Sequence, residues 1–440
     1  MRLSVAAVAL GAAWLVFGAP AAQAAETLTI ERVIQETLAN NPDLEAARHA
    51  IEMARGRLRQ AGLWPNPDLE LDVRDDFLFS AEGERGGSAG FAQRFPIARR
   101  LGKAKDVARV DIALAEAELR DAERHFAGEV SRLAYRLVVL RRKAEAQDEV
   151  IRTAESLAKA AQSRFAVAET SEADVNLLRV EAERLRQERI VLDIEARKAE
   201  SSLAELLGRT PDSPIQVAAD LDAPVSLRPR EEIVSKALGR RADLMQRRLE
   251  ADRGAAEERL AKAERWEDWT VGLAYQGDRG VFEPPGSGAP LGTARVQADQ
   301  FVGLRLTIPL PLWNRNQGRI AEARALQSRA GARLSAADLK VKREVETAWF
   351  ETNRLEKVVR SYQEQILKLT DRNIKLVRQG YGEGLVGIAE LLQTQQQYAA
   401  LRQSYYDAVG ELWRARVDLE TAGAANPLLP SQPGPNPGGP

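Results

Sequence analysis

The sequence predicts a mainly α-helical fold with a small β part, made by duplicating one unit of helix, β-hairpin and long helical hairpin. Three observations carry this. First, "ETLANNPDLEAAR" (Glu36 to Arg48) is echoed by "KALGRRADLMQRR" (Lys236 to Arg248), with Leu38, Asp43, Leu44 and Arg48 recurring 200 positions later as Leu238, Asp243, Leu244 and Arg248. Second, after each echo the apolar period changes from 3.6 to 2, the mark of a strand with one apolar face. Third, a heptad follows in each half. Its apolar or small residues are Val175, Leu178, Ala182, Leu185, Leu192, Ala196, Ala199, Leu203 and Leu206, broken only at Arg189. The second copy reads Leu391, Thr394, Tyr398, Leu401, Tyr405, Ala408, Leu412, Ala415 and Leu419, in register at an offset of 216 (391 minus 175).

The chain starts with Met1 and Arg2, the apolar run Val5 to Phe17 and the small-x-small pattern Ala22-Gln23-Ala24, so residues 1–24 read as a secretory signal peptide. The first repeat then occupies 25–208 and the second 231–424. There is no cysteine among the 440 residues, which excludes disulfides, thiolate metal sites and a lipid-anchored cysteine. No uncharged apolar run after the signal reaches the roughly 18 to 20 residues of a membrane-spanning helix. With 63 Lys and Arg against 64 Asp and Glu, the net charge of -1 offers no basic surplus for nucleic acid.

The strands are expected at about 68–75 and 90–97, then at about 268–276 and 300–309, with the Gly-rich and Pro-rich stretches "SAEGERGGSAG" and "GDRGVFEPPGSGAP" as hairpin loops. Two lone hairpins on a helical chain are unstable in water, because an isolated ribbon leaves two edges unpaired. Pooling strands from several chains into a closed barrel removes the edges and is the one way strands can cross a bilayer. Trp64, Trp266, Trp269 and Trp313 lie in or beside the hairpins, where an aromatic girdle would sit. In such a barrel the alternation puts Leu71, Val73, Val271, Leu273, Leu304 and Leu306 toward lipid. Glu70, Asp72, Arg74, Gln276 and Arg305 would face the lumen. The competing reading is a small soluble sheet capping a coiled coil.

A helical pattern of roughly 60 residues from about Lys105 to Phe165 would reach about 90 Å. Each long helix must then reverse. In the second half the reversal is "GYGEGLVGIAEL", with Gly380, Gly382, Gly384 and Gly387; in the first it is "RFAVAETSEADV", where Phe165 matches Tyr381 and Ala168 matches Gly384. Between the repeats, 209–230 holds four prolines and reads as a linker. The tail 425–440 is too rich in Pro and Gly to fold alone.

No catalytic constellation emerges. His49 and His125 are far apart and lack metal-ligand spacing, so no metal site, cofactor or enzymatic activity is expected.

The order of elements resembles the TolC-like outer membrane efflux family over about Thr27 to Ala422. The residues that carry it are the pair "NPDLEAAR" and "RADLMQRR", the strand ends "QRFPI" and "LTIPLPLWNRNQGRI", and the turn "GYGEGLVGIAEL". The resemblance implies a homotrimer in the outer membrane of a Gram-negative bacterium. Three chains would give four strands each to a twelve-stranded barrel and their helices to a periplasmic tunnel, with 209–230 at its equator. It further implies a periplasmic adaptor and an inner membrane pump, of the resistance-nodulation-division type, as partners. "NPDLEAARHAIEMARGRLRQAGLWPNPDLELDV" and "IPLPLWNRNQGRIAEA" are most similar to the heavy-metal cation branch. Multidrug or solvent export, type I secretion and a soluble trimeric coiled coil are the alternatives. By the same resemblance Asp174 and Glu390, matched at the offset of 216, fall at the narrowed periplasmic mouth, where Gln393 replaces an acid found in some members. Thr170, Ser171, Gly384, Val386 and Gly387 fall on the turns that dock the adaptor.

Overall fold

The computed structural model describes residues 27–75, 84–282 and 295–424. The expected signal peptide, the tail and the tips of both hairpins lie outside them. By packing, the chain divides into two compact units.

The first unit comprises residues 27–36, Val130–Ala223 and Leu367–Gly410. Here β1 (Thr27–Thr29) pairs in parallel with β4 (Gln216–Ala218), so the linker, read from sequence as irregular, contributes a short strand. Arg209 secures it with two bonds to Glu36, at 2.5 and 2.7 Å. The rest is helical: the later part of α3 (Arg100–Ala166), α4 (Glu172–Leu206), α8 (Leu367–Gly382) and most of α9 (Ile388–Ala422). Val150, Ile151 and Ala154 of α3 pack with Ala182 and Leu185 of α4 and Ala399 of α9. A second cluster joins Ala161, Val175, Leu178 and Leu392.

The first heptad largely forms this interior, with Val175, Leu178, Ala182, Leu185, Leu192, Ala199 and Leu203 all buried. Arg189, its one interruption, keeps its charge partnered by donating from Nε to Asp148 at 3.0 Å and pairing with Asp193. The second heptad holds at Leu391, Leu412, Ala415 and Leu419, all buried, and departs from expectation between them. Thr394, Tyr398, Leu401 and Tyr405 are only half-buried, while Leu392, Gln395 and Ala399 line the interior. α9 carries apolar residues on two faces, and a period alone does not say which face its own chain covers.

The second unit contains 37–129, Pro224–Ile366 and the end of α9. The helix expected before each hairpin is in fact two, α1 (Ile30–Asn40) and α2 (Pro42–Ala61), then α5 (Arg230–Arg240) and α6 (Ala242–Ala263). Pro42 lacks the N–H that would continue α1, and the Asn41 side chain caps α2 by accepting from the N–H groups of Asp43 and Leu44. At the equivalent break Arg241 makes no side-chain cap. It is 4% exposed, bonds both Asp243 oxygens and Glu344, and donates to the Ala422 carbonyl at 3.3 Å. Arg124 donates to the neighbouring Thr421 carbonyl at 3.1 Å, so two buried cations close the C-terminus of α9.

The repeated residues have repeated jobs. Arg48 Nη2 donates to the Leu38 carbonyl and Arg248 Nη2 to the Leu238 carbonyl, while Leu44 and Leu244 are both fully buried. Leu244 joins Ala237, Val341, Val345, Ala348, Leu419 and Ala422 in one core, with α7 (Gln317–Ser361) supplying three of these residues.

Both hairpins form, and they join into one antiparallel sheet of order β2-β3-β5-β6: β2 (Asp68–Asp75), β3 (Arg85–Phe95), β5 (Trp269–Phe282) and β6 (Arg295–Thr307). β3 begins at Arg85 rather than near 90, and β5 runs on to Phe282. The stretch Arg85 to Gly90 reads as loop because glycine has low strand propensity; flanked on both sides, its backbone is nevertheless fully recruited. Both second strands stop earlier than expected, just before the segments that contain Pro96 and Pro309. Among the described residues no helix is long and apolar enough to cross a membrane.

Candidate functional site

The two helix reversals are closed by the same pair of backbone hydrogen bonds. In the first, the Ala168 N–H donates to Phe165 O at 2.9 Å and the Glu169 N–H to Arg164 O at 2.9 Å. In the second, Gly384 donates to Tyr381 O at 3.2 Å and Leu385 to Gly380 O at 2.8 Å. This pair of bonds closes a helix through one left-handed residue. That residue is Ala168 (φ 62°) in one turn and Gly384 (φ 76°) in the other. Gly380 has a separate reason to be glycine: a Cβ there would stand 2.7 Å from Val386 Cγ2. Val386, an expected docking residue, thus folds back over its own helix end. Gly387 meets nothing within 4 Å and its carbonyl accepts from Leu391 N–H at 3.2 Å, starting α9.

Arg164 ties one turn to the other. It donates to the carbonyls of Tyr381 (3.1 Å) and Gly382 (2.6 Å), and its guanidinium stands 5.4 Å from the centre of the Tyr381 ring. A cation on the last carbonyls of α8 satisfies acceptors the helix itself leaves open. Nothing local in the sequence points to this role, because the partner lies 217 residues away.

Thr170, Ser171 and Asp174 come together as the N-terminal cap of α4. Asp174 N–H donates to Ser171 Oγ at 3.1 Å, and the Asp174 carboxylate accepts from Ser171 N–H at 3.3 Å and Thr170 Oγ1 at 3.0 Å. The bond to Ser171, with help from Thr170, holds this carboxyl below its ordinary range despite some desolvation. Glu390 occupies the same place in α9, but the preceding cap position is Gly387 and offers no hydroxyl. Glu390 and Gln393 are exposed, and no hydrogen bond or ion pair joins Glu390 to Asp174.

Deeper in the helices lie polar groups that the sequence reading passed over. Glu181, 6% exposed, accepts from Arg184 at 2.7 and 3.0 Å and from Gln396 at 3.2 Å; the Arg184 bonds lower its pKa. Gln147 is bonded to Leu185 O, Glu188 and Gln403. Gln395 differs: it is 1% exposed, and neither amide atom has a partner.

On the sheet, the register sorts the expected residues onto two faces. Leu69, Phe91, Leu273 and Leu304 form one cross-sheet row and Leu71, Ala89, Tyr275 and Val302 the next, with Val73, Val271 and Leu306 on the same side. Glu70, Asp72, Arg74, Gln276 and Arg305 fall on the opposite side, among Ser88, Gly90 and Gly303. Phe301 breaks the pattern by standing on the polar side, in the row of Asp72, Ser88 and Gln276. The apolar face is bare: Val73 is 87% exposed and Leu304 77%. A face of this extent in water marks a surface meant for another apolar phase.

His49 is exposed near Glu45, and His125 lies beside Arg124 and Asp121. Burial, and then the Arg124 charge, lower the His125 pKa. Among the described residues no cluster of His, Cys, Asp or Glu is placed to hold a metal ion.

The family described as outer membrane efflux protein matches residues 33–209 and 233–424. The cobalt-zinc-cadmium resistance protein CzcC of Cupriavidus metallidurans is 23% identical over 403 residues, 90% of each chain. A membrane protein from Pseudomonas aeruginosa superposes with a TM-score of 0.72 at 18% identity, covering 90% of this chain and 92% of its own. The outer membrane protein VceC from Vibrio cholerae gives 0.69 at 19% identity, covering 90% and 95%. At such identities the two structures bear on the fold alone.

Proposed function

Since the chain belongs to the outer membrane efflux protein family and is an outer membrane efflux channel, we propose that it is the passive exit duct of a three-part system exporting heavy-metal cations. Its partners would be a periplasmic adaptor and an inner membrane pump of the resistance-nodulation-division type. The observation that carries the channel architecture is the four-stranded sheet with one bare apolar face and two outer strands, β2 and β6, each paired on one side only. Three copies closing on those edges would make a twelve-stranded barrel, with the apolar face toward lipid and Glu70, Asp72, Arg74, Gln276 and Arg305 toward water. Metal cations are favoured as cargo by the similarity to CzcC.

In this trimer the reversing turns form the mouth on the pump side. Six carboxylates, Asp174 and Glu390 from each chain, would focus a field that attracts cations. Asp174 is already committed to its cap, so Glu390 contributes the freer charge, and Gln393 leaves one tier neutral. Thr170, Ser171, Gly384, Val386 and Gly387 would meet the adaptor.

Deleting the gene should sensitise its host to cobalt, zinc and cadmium while leaving tolerance of dyes and solvents unchanged; the reverse pattern would reassign the cargo to drugs. Recovery of the protein in the soluble periplasmic fraction without detergent would sink the channel itself. For the mouth, Asp174→Ala with Glu390→Ala should raise single-channel conductance in planar bilayers and weaken block by divalent cations. Unchanged conductance and block in an intact trimer would reject the gate.

A further inference from the structure

Exposed apolar residues continue past the last paired residue of β6. Val302, Leu304, Leu306 and Ile308 alternate along the strand; pairing stops at Thr307, and Leu310, Leu312 and Trp313 follow in a connector where the Leu312 N–H donates to the Leu310 carbonyl at 2.8 Å in a tight turn. These residues are exposed, Trp313 at 86%. The same end of the sheet carries aromatic residues. Phe95 is paired with Trp269, and Trp64 stands edge-on to Phe95 at 5.8 Å.

The four connectors between sheet and helices are tied into one collar. Gln93 donates to Pro65 O at 3.0 Å, Arg100 to Asp268 at 2.5 Å, and Asn316 to Ala261 O at 2.8 Å, while Arg319 lies 3.4 Å from Glu264. Three further arginines of the collar, Arg99, Arg265 and Arg315, are exposed, and none is joined to a carboxylate. Arg265 instead lies over the Trp266 ring at 5.4 Å. Arg99 sits in a tight turn, closed by Arg100 N–H to Ile97 O at 3.1 Å, whose central residues Ala98 and Arg99 both have positive φ, 54° and 56°. Such backbone is strained for residues with a Cβ and persists where its surroundings impose it.

Resting on the reading of the apolar face as lipid-facing, we propose that this collar binds the headgroups of anionic phospholipids in the leaflet at the helix end of the barrel. Leu310 and Leu312 extend the surface that meets acyl chains, and Trp266 and Trp313 stand at the level where tryptophan is favoured between hydrocarbon and water. Guanidinium groups just beyond that level can lay their stems on the apolar surface and fork two N–H groups onto a phosphate. The exposed apolar residues that follow β6, and three cations without a carboxylate partner set against the exposed Glu267, select a lipid over a second copy of the chain, whose own collar carries the same charges.

The test is retention of fluorescent phosphatidylglycerol against phosphatidylcholine by the full-length protein in neutral detergent. Phosphatidylglycerol should be held about tenfold more tightly at low salt, with the preference shrinking as salt rises. The triple variant Arg99→Gln, Arg265→Gln, Arg315→Gln should bring the two lipids to parity, and the corresponding triple Lys variant should keep the preference. Should the triple Gln variant not be recovered, Arg315→Gln alone should narrow the gap. Equal retention of both lipids by the wild type, or an undiminished preference in the Gln variants, overturns the proposal. Displacement by millimolar inorganic phosphate would also overturn it, in favour of a free-anion site. A protein that needs no detergent refutes the lipid-facing sheet, whereas one that needs detergent but shows no preference refutes the collar alone.

Discussion

Ala168 and Gly384 stand 216 positions apart (384 minus 168) and hold the same left-handed backbone, closed by the same two hydrogen bonds. Only one of them is suited to it. A Cβ in this region costs about 1–2 kcal/mol, partly offset because glycine loosens the unfolded chain. Ala168→Gly should therefore raise stability by about 0.5–1 kcal/mol and Gly384→Ala lower it by about 1 kcal/mol. Unfolding midpoints of the full-length protein in detergent measure both; a destabilising Ala168→Gly would mean the turn is not held as described.

The cap of α4 should be pH-dependent. Asp174 has a folded pKa below its unfolded value of about 3.9, so its stabilisation is complete above that value and lost as pH falls through the lower, folded one. Asp174→Asn should accelerate amide exchange in the first turn of α4 at pH 6. The difference from wild type should be full above about pH 4 and close as the pH falls through the lower, folded value. A difference that does not shrink as the pH is lowered from about 4 would show that the carboxylate is not what holds the turn.

Leu273 and Gln276 lie on opposite faces of β5. An arginine at the lipid midplane costs about 2–4 kcal/mol, so Leu273→Arg should impair assembly while Gln276→Arg is tolerated. Recovery of membrane-inserted, heat-modifiable trimer compares them, and equal yields would reject the assignment of faces.

Gln395 is buried with its amide unbonded. Leucine has a similar volume and nothing to desolvate, so Gln395→Leu should stabilise the helices by about 1–3 kcal/mol. A lower urea midpoint for this variant would show that the amide is bonded in the assembled protein.

Gly387 and Gly380 separate docking from folding. A side chain at Gly387 meets open space, so Gly387→Trp should leave trimer yield intact and abolish adaptor crosslinking. Gly380→Ala, whose Cβ would strike Val386, should disturb the turn itself and lower stability. Full crosslinking by Gly387→Trp would remove the docking role from this turn.

Much of the fold was legible because it is written locally and written twice. Arg48 and Arg248 stood out as an echo, and each holds the carbonyl of a leucine ten residues back. The match of Ala168 to Gly384 likewise predicted a shared turn geometry. Legibility failed where context outweighs propensity. Residues 85–90 read as loop yet form the middle of a sheet. Of the candidate site, Thr170, Ser171 and Asp174 form a cap whose bonds span four residues or fewer, whereas Arg164 was invisible because its acceptors are 217 and 218 residues away.

The sequence by itself determined the duplication, the change of period from helix to strand, the two reversals and the division of β2, β5 and β6 into an apolar and a polar side, because each is fixed by residues within a few positions of one another. Tertiary structure alone decided that β3 pairs with β5, that Arg124 and Arg241 close the end of α9, and that Leu392, Gln395 and Ala399 rather than Thr394, Tyr398 and Leu401 turn inward. Those outcomes depend on which distant surfaces meet, and a helix or strand with two usable faces does not carry that choice in its own period.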